Sequence, residues 1–181
     1  TYYKFHASEG GLRVPLVMAG PGVDRHDEIS DEFVFVTDLM PTILDLVDVE
    51  SHDGSWNGRE IEPVVGTNFA SYLSQGQSPI HEPTEPIGYE LGGNSALFKG
   101  DYKIVMNRTG QGDTEWSLYD IKSDPSEAYD LAEEKPDLLQ AMIADYDDYV
   151  AANGVLPMPA GYNRVLRILG PALRQLRQDQ P

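Results

Sequence analysis

The segment Lys4-Phe-His-Ala-Ser-Glu9-Gly10-Gly11-Leu-Arg13-Val-Pro15 gathers the residue types best suited to chemistry in this chain. A lysine opens it, His6 follows two residues later, and Glu9 and Arg13 flank a Gly10-Gly11 pair ahead of an apolar run. An ammonium is a compact charge suited to a sulfate or phosphate oxygen, and it acts best on charge that develops in a transition state. Gly-Gly admits backbone angles closed to other residues, so the chain can turn tightly there and lead into a strand. In open α/β folds the chemistry sits on loops at strand ends, where a lysine can face a bound anion. By residue type alone, a surface lysine beside a structural Glu9–Arg13 pair is the simpler account.

Other familiar arrangements are absent from the sequence. It has no Gly-x-Ser-x-Gly elbow, no Gly-x-Gly-x-x-Gly, no phosphate loop of the Gly-Lys-Ser/Thr type and no His-Glu-x-x-His. Cysteine is missing altogether, which removes disulfides, thiolate metal sites and a cysteine nucleophile. His6, His26, His52 and His81 stand singly, without metal-ligand spacing, and each reads as a loop or core residue. Asp145, Asp147 and Asp148 fall in a helical pattern unsuited to a calcium loop and read as a solvated acidic face. Asn107-Arg-Thr109 fits a glycosylation acceptor and equally fits hairpin turn chemistry.

The elements that must position these residues can be read from periodicity. Val14 to Met18, closed by Gly20-Pro21-Gly22, is a short apolar run expected to form a buried strand. An acidic loop from Asp24 to Glu32 leads to Phe33-Val-Phe-Val36, which is apolar and β-prone. Thr37-Asp38 can cap a helix with Leu39, Ile43, Leu46 and Val47 as its apolar positions, Pro41 falling in the first turn. After a polar, turn-rich stretch at 50–60, four strand candidates follow at 87–91, 96–98, 102–106 and 116–121. Turns at 92–94, 99–101 and 109–114 separate them, so the spacing predicts an antiparallel meander. Asp124-Pro125 starts a turn, and Pro136 opens a helix with Leu139, Met142, Ile143, Tyr146, Tyr149 and Val150 on one face, closed by Asn153-Gly154. That helix can cover one face of the sheet.

Composition bounds the function. The 181 residues carry 30 Asp+Glu against 13 Lys+Arg, for a net charge of −17, which excludes nucleic acid as an expected partner. An apolar fraction of 40% supports a folded core, and the apolar runs fall far short of a membrane span. The tail breaks the charge pattern, with Arg164, Arg167, Arg174 and Arg177 against a single acid, Asp179. It is amphipathic but interrupted by Gly170-Pro171, and reads as a segment docked on the acidic body or on a sister subunit rather than on a membrane. No initiator Met and no signal peptide open the chain, so a fragment of a longer protein is expected and its location stays open. The division expected is 1–50, 51–155 and the basic tail 156–181.

The pattern Lys-x-x-x-x-Glu-Gly-Gly-x-Arg-Val-Pro at residues 4–15 resembles the segment by which formylglycine-dependent sulfatases present their second sulfate-binding lysine. Further elements of that family follow in order. Gly20-Pro21-Gly22 comes first, and Thr37 to Leu46 is similar to its "TDLxPTLLDLAG" helix. Gly58-Arg59-Glu60-Ile61 and Gly100-Asp101-Tyr102-Lys103 resemble "GRSL" and "GDWK". Leu118-Tyr119-Asp120, Asp124-Pro125, Glu127 and Asp130-Leu131-Ala132 resemble "LYDLxxDPxExxDLA". The similarity covers residues 1 to about 155 and looks nearest to bacterial arylsulfatases.

The resemblance implies an α/β fold, α+β in this fragment: the last strand and helix of an alkaline-phosphatase-like sulfatase domain (residues 1–50), then a small four-stranded antiparallel sheet packed on a C-terminal helix (51–155). Lys4 would contact the sulfate and the leaving-group oxygen, with His6 on the substrate side. Glu9, Gly10, Gly11 and Arg13 would form the turn and lead into the strand. The complete enzyme would use calcium and a formylglycine, and neither site is present in this chain. No Cys/Ser-x-Pro/Ala-x-Arg motif occurs, so the chain alone is expected to be inactive. Its partners would be an upstream catalytic domain, a sulfate ester in the intact protein, and a second copy through the exposed strand or the basic tail. Two alternatives share these residues: part of a phosphonate monoester or phosphodiester hydrolase of the same superfamily, and a non-catalytic oligomerisation module.

Overall fold

A computed structural model describes residues 5–52, 54–108 and 115–159. In chain order its elements are α1 (Glu9–Leu12), α2 (Leu39–Leu46) behind a 3₁₀ turn at Val36–Asp38, β1 (Ser55–Trp56), β2 (Arg59–Glu60), α3 (Ala70–Gln75), β3 (Ile87–Leu91), β4 (Asn94–Lys99), β5 (Tyr102–Met106), β6 (Ser117–Asp120) and α4 (Pro136–Asn153). They fall into two compact units. Of the described residues, one holds those up to Val14 together with those from Pro86 onward, and the other holds those between Pro15 and Glu85.

The first unit is built on the antiparallel meander β3-β4-β5-β6, in the order the turn spacing predicts. Leu97 opposes Ile104, and Ile104 opposes Leu118, so these three share one face. With Met142 and Tyr146 of α4 they form the buried core, to which Tyr149 and Val150 add their flanks. Burying four such aliphatic side chains contributes roughly 1.5–3 kcal/mol each. The Tyr146 hydroxyl donates to Ser95 Oγ at 2.7 Å, so this buried phenol is satisfied. Helix and sheet meet closely at Gly88, where a Cβ would lie 2.2 Å from Tyr149 Cγ. Pro136 sits in the first turn of α4, and Gly154 ends the helix at φ 60°, a left-handed cap that suits glycine. Asp145 on α4 pairs with Lys99 at 2.7 Å.

The opposite face of the same sheet is covered too, which the sequence pattern did not suggest. Ala96 and Val105 are buried there, and Ala7, Ser8 and Glu9 of the N-terminal segment are buried with them in the same unit. β4 therefore reads as buried along nearly its whole length rather than alternating.

In the second unit, α2 forms close to where its apolar spacing places it, and α3 and the two-residue hairpin β1-β2 are additions. Three expectations need correction. Val14 to Met18 forms no strand; the run is unpaired and open to solvent, with Val17 88% exposed, because no described strand offers it a hydrogen-bonding edge. Phe33 to Val36 is likewise not a strand, and its rings at Phe33 and Phe35 stack at 6.4 Å instead. Asp38 stands at the N-terminus of α2 without capping it by its side chain. Its fully buried carboxylate accepts the amides of Phe35 (2.6 Å) and Thr67 (2.8 Å) and binds His81 Nε2 at 2.8 Å. His81 Nδ1 faces Glu85 at 3.1 Å, and its ring meets Phe33 edge-on. The Asp38 bond, against burial and with help from Glu85, raises the imidazole pKa above its ordinary value. Burial would push the Asp38 carboxyl up, but the His81, Thr67 and Phe35 bonds outweigh it and hold the group below its ordinary value. His26 and His52 are exposed. Among the described residues no helix is long and apolar enough to cross a membrane. The basic tail from residue 160 lies outside the described residues.

Candidate functional site

The second face of the sheet positions the N-terminal segment. Phe98 and Lys103 are direct cross-strand partners, and alternation along β4 and β5 brings Asn94 and Asn107 to the same face at one end. Each of these polar side chains is spent on the segment 5–9. Asn94 Nδ2 donates to the Phe5 carbonyl at 2.5 Å, while its Oδ1 accepts the Arg108 amide at 2.7 Å. Asn107 Oδ1 accepts the Ala7 amide and its Nδ2 donates to Ser8 Oγ, both at 2.7 Å. The nitrogen that a glycan would occupy is thus already committed to Ser8. Thr109 of that acceptor pattern lies outside the described residues.

Lys103 lies at the centre. Its ammonium is fully buried and donates to Glu9 Oε1 and to Glu127 Oε1, each at 2.8 Å, with the Phe98 ring 5.0 Å away. The Glu9 amide closes the arrangement by donating to Glu127 Oε2 at 3.0 Å. Arg13 adds a second positive charge at the rim, 3.5 Å from Glu9 Oε2 and mostly exposed. Two buried carboxylates thus face one buried ammonium and one guanidinium, a balance that avoids an uncompensated charge in the interior.

Local sequence explains how each partner arrives. Asp124 accepts the Ser126 hydroxyl (2.6 Å) and the amides of Ala128 (2.7 Å) and Tyr129 (2.9 Å), folding the loop after β6 into a tight turn. The Ser126 and Tyr129 bonds hold its carboxyl below the ordinary value. Glu127 sits within this turn at φ 54°, a left-handed conformation that a non-glycine residue keeps only where its surroundings demand it. Asp130 then docks the loop on β6 by accepting the Leu118 and Ala132 amides at 3.0 and 2.9 Å. On the other side, the Gly11 and Leu12 amides bond to the Ser8 carbonyl and the Arg13 amide to Glu9, winding the single turn α1. Gly10 and Gly11 lie inside that helical turn, so their use is a compact turn rather than the unusual angles first expected of them.

The segment read from sequence is therefore held at Phe5, Ala7, Ser8 and Glu9, with His6 half-buried among these anchors. Lys4 itself lies outside the described residues. Phe5, the next residue, adopts φ 80°. Asn94, Asn107, Lys103 and Glu127 were missed as site residues. The available signal was Lys103, a lone charge inside the apolar strand Tyr102-Lys-Ile-Val-Met106, since a lysine in a doubly covered strand must find a carboxylate. Nothing in Asn94 or Asn107 announced a partner some ninety or more residues away. The cluster is a charge-balanced clamp and offers no nucleophile. Among the described residues no group of three His, Cys, Asp or Glu side chains is placed to hold a metal ion, so these residues do not fit the metal of a sulfatase.

Comparison with known proteins places this chain in a family. The family described as N-sulphoglucosamine sulphohydrolase, C-terminal, matches residues 1–146. An uncharacterized sulfatase of Schizosaccharomyces pombe is 37% identical over 156 residues, covering 86% of this chain and 28% of that protein. Arylsulfatase K of Danio rerio is 28% identical over 140 residues, covering 77% of this chain and 26% of its own length. The crystal structure of Ps i-CgsB in complex with k-i-k-neocarrahexaose aligns with a TM-score of 0.45 at 23% identity, over 62% of this chain and 23% of that one. The chain spans little more than a quarter of the length of the curated relatives it matches. With most of its length, from the lysine segment into the middle of α4, inside the family match, this chain belongs to the sulfatases, as a member of the family defined by the C-terminal region of N-sulphoglucosamine sulphohydrolase.

Proposed function

We propose that this chain is the C-terminal part of a sulfuric ester hydrolase of the arylsulfatase kind, contributing one sulfate-binding lysine and the small sheet domain. Residues 1–50 would form the C-terminal edge of an alkaline-phosphatase-like catalytic domain, 51–155 the small domain and 156–181 a basic tail. The unpaired run at 14–18 supports the assignment of that segment to a larger domain, since it has the composition of a covered strand and no strand partner among the described residues. The nucleophile and metal come from chain outside this sequence: a formylglycine, and a cation that we take to be calcium.

The role given to this chain's own residues is electrostatic. The Lys4 ammonium would lie against the sulfate and the ester oxygen, where negative charge grows as the sulfur–oxygen bond breaks. His6, two residues on, would stand on the substrate side. The observation that carries the reading is the family match over residues 1–146, which contains the whole lysine segment. In the intact protein, assayed on a chromogenic aryl sulfate, Lys4→Ala is expected to lower kcat by about 10²–10³-fold, the loss typical of removing one donor from developing charge. Its melting temperature should stay near that of the parent. A Lys4→Ala protein with parental turnover removes Lys4 from the site, and faster turnover of a matched phosphate ester than of the sulfate overturns the substrate class.

A further inference from the structure

We propose that Asn107 and the buried Lys103–Glu127 pair are positioning residues, which hold the segment bearing Lys4 and His6 in the register that sulfate ester hydrolysis needs. The inference rests on the functional reading above and adds to it a role for the sheet of the small domain. Three observations converge on it. The polar side chains on this face of the sheet are aimed at the backbone, the Ser8 hydroxyl and the Glu9 carboxylate of one segment, not at one another. The anchors come from β4, the ends of β5 and the loop after β6, so no single element dictates the segment's path. The two non-glycine residues at positive φ in this cluster, Phe5 at 80° and Glu127 at 54°, are bound by the anchors themselves. Such strain persists where the surroundings over-determine a conformation, and it gathers at functional positions.

The choice of a buried ion cluster points the same way. Apolar side chains of similar volume would secure this face as well as a buried Lys–Glu pair does or better. Ions and amides with directional bonds instead fix one arrangement of Ala7, Ser8 and Glu9, since a slip of one residue moves the chain by about 3.3–3.6 Å, farther than such bonds tolerate. A displacement of about 1 Å at a catalytic group is enough to cost on the order of 10²-fold in rate.

The test is a double-mutant cycle in the intact protein on a chromogenic aryl sulfate. Asn107→Ala removes the acceptor of the Ala7 amide and the donor to Ser8. It is expected to lower kcat about 30–100-fold, with parental circular dichroism and little change in KM. Asn107→Asp keeps the acceptor, and the Ser8 hydroxyl can turn to donate, so most of the turnover should return. In a Lys4→Ala, His6→Ala background the same Asn107→Ala change should cost less than about threefold, because a residue acting through those two side chains has nothing left to position. Equal losses in both backgrounds, or no rescue by aspartate, overturn the positioning role. Where Asn107→Ala melts below the assay temperature, Asn107→Ser, which keeps a polar group but cannot reach both partners, runs the same cycle and decides by the same criterion. If the parent protein turns over no sulfate ester, the functional reading fails and this inference with it. Sulfatase activity with additive losses sinks the inference alone.

Discussion

A lysine ammonium with no exposed surface is stable as an ion only if its charge is answered at contact distance. At Lys103 two carboxylates answer it, Glu9 and Glu127, each at 2.8 Å. Removing one member of such a cluster leaves the others charged in a poorly solvating site, which costs about 3–5 kcal/mol, whereas removing the charges together costs far less. Lys103→Met is therefore expected to lower the unfolding free energy by about 3–5 kcal/mol in urea titration. Combining it with Glu9→Gln and Glu127→Gln should recover most of that loss, although the site's function would not return with it. A Lys103→Met protein within about 1 kcal/mol of the parent would mean that the ammonium is not buried against its carboxylates. Resemblance had marked Lys103 and Glu127 only as motif positions. Their shared role became visible once cross-strand register set Lys103 on the face opposite α4 and the Asp124 turn delivered Glu127 to it.

At the scale of elements, the strongest sequence signals were those that carry their own partners. The meander β3–β6 needs only short turns, and α4 needs only Pro136, Gly154 and one apolar face, so both were legible. The run at 14–18 depends on a neighbour that no local pattern supplies, and it stays unpaired here. The Asp38–His81 contact was invisible for the same reason, as its two halves lie 43 residues apart. That contact ties the start of α2 to the segment around His81 and Glu85, and it makes the second unit sensitive to pH. The imidazole pKa is raised on folding, so its contribution is full below the unfolded value of 6.5 and is lost as pH rises through the higher folded value. The Asp38 carboxyl is lowered, so its contribution is full above 3.8 and is lost as pH falls through the lower folded value. The clasp is thus at full strength between these two unfolded values. Thermal melts should show the parent losing about 2–4 °C more than His81→Gln between pH 6 and pH 9, the equivalent of roughly 1 kcal/mol. Parallel loss in both proteins would show that folding leaves the His81 pKa unshifted.

For the whole molecule the governing tension lies between charge and exposed apolar surface. A net charge of −17 keeps copies apart at low ionic strength, but only over about a Debye length. Against it stand Met40 and Ile43, which helical spacing puts on one face of α2, and Val47 at its C-cap, all at least half exposed. Val17 and Val36 add further apolar exposure in the same unit. If residues 1–50 are the edge of a larger domain, this stripe is the surface that domain covers. The 181-residue chain alone should then self-associate as salt screens its charge, with light scattering giving a larger mass at 500 mM than at 20 mM NaCl. Ile43→Glu with Val47→Glu should abolish that increase without lowering the melting temperature of the isolated chain, because neither side chain is buried there. In the intact protein the same pair should be costly, by about 1.5–3 kcal/mol for each apolar side chain that loses its cover. Equal tolerance of the pair in both contexts would show that the stripe faces water in the intact protein, and the assignment of residues 1–50 to the catalytic domain would fall with it.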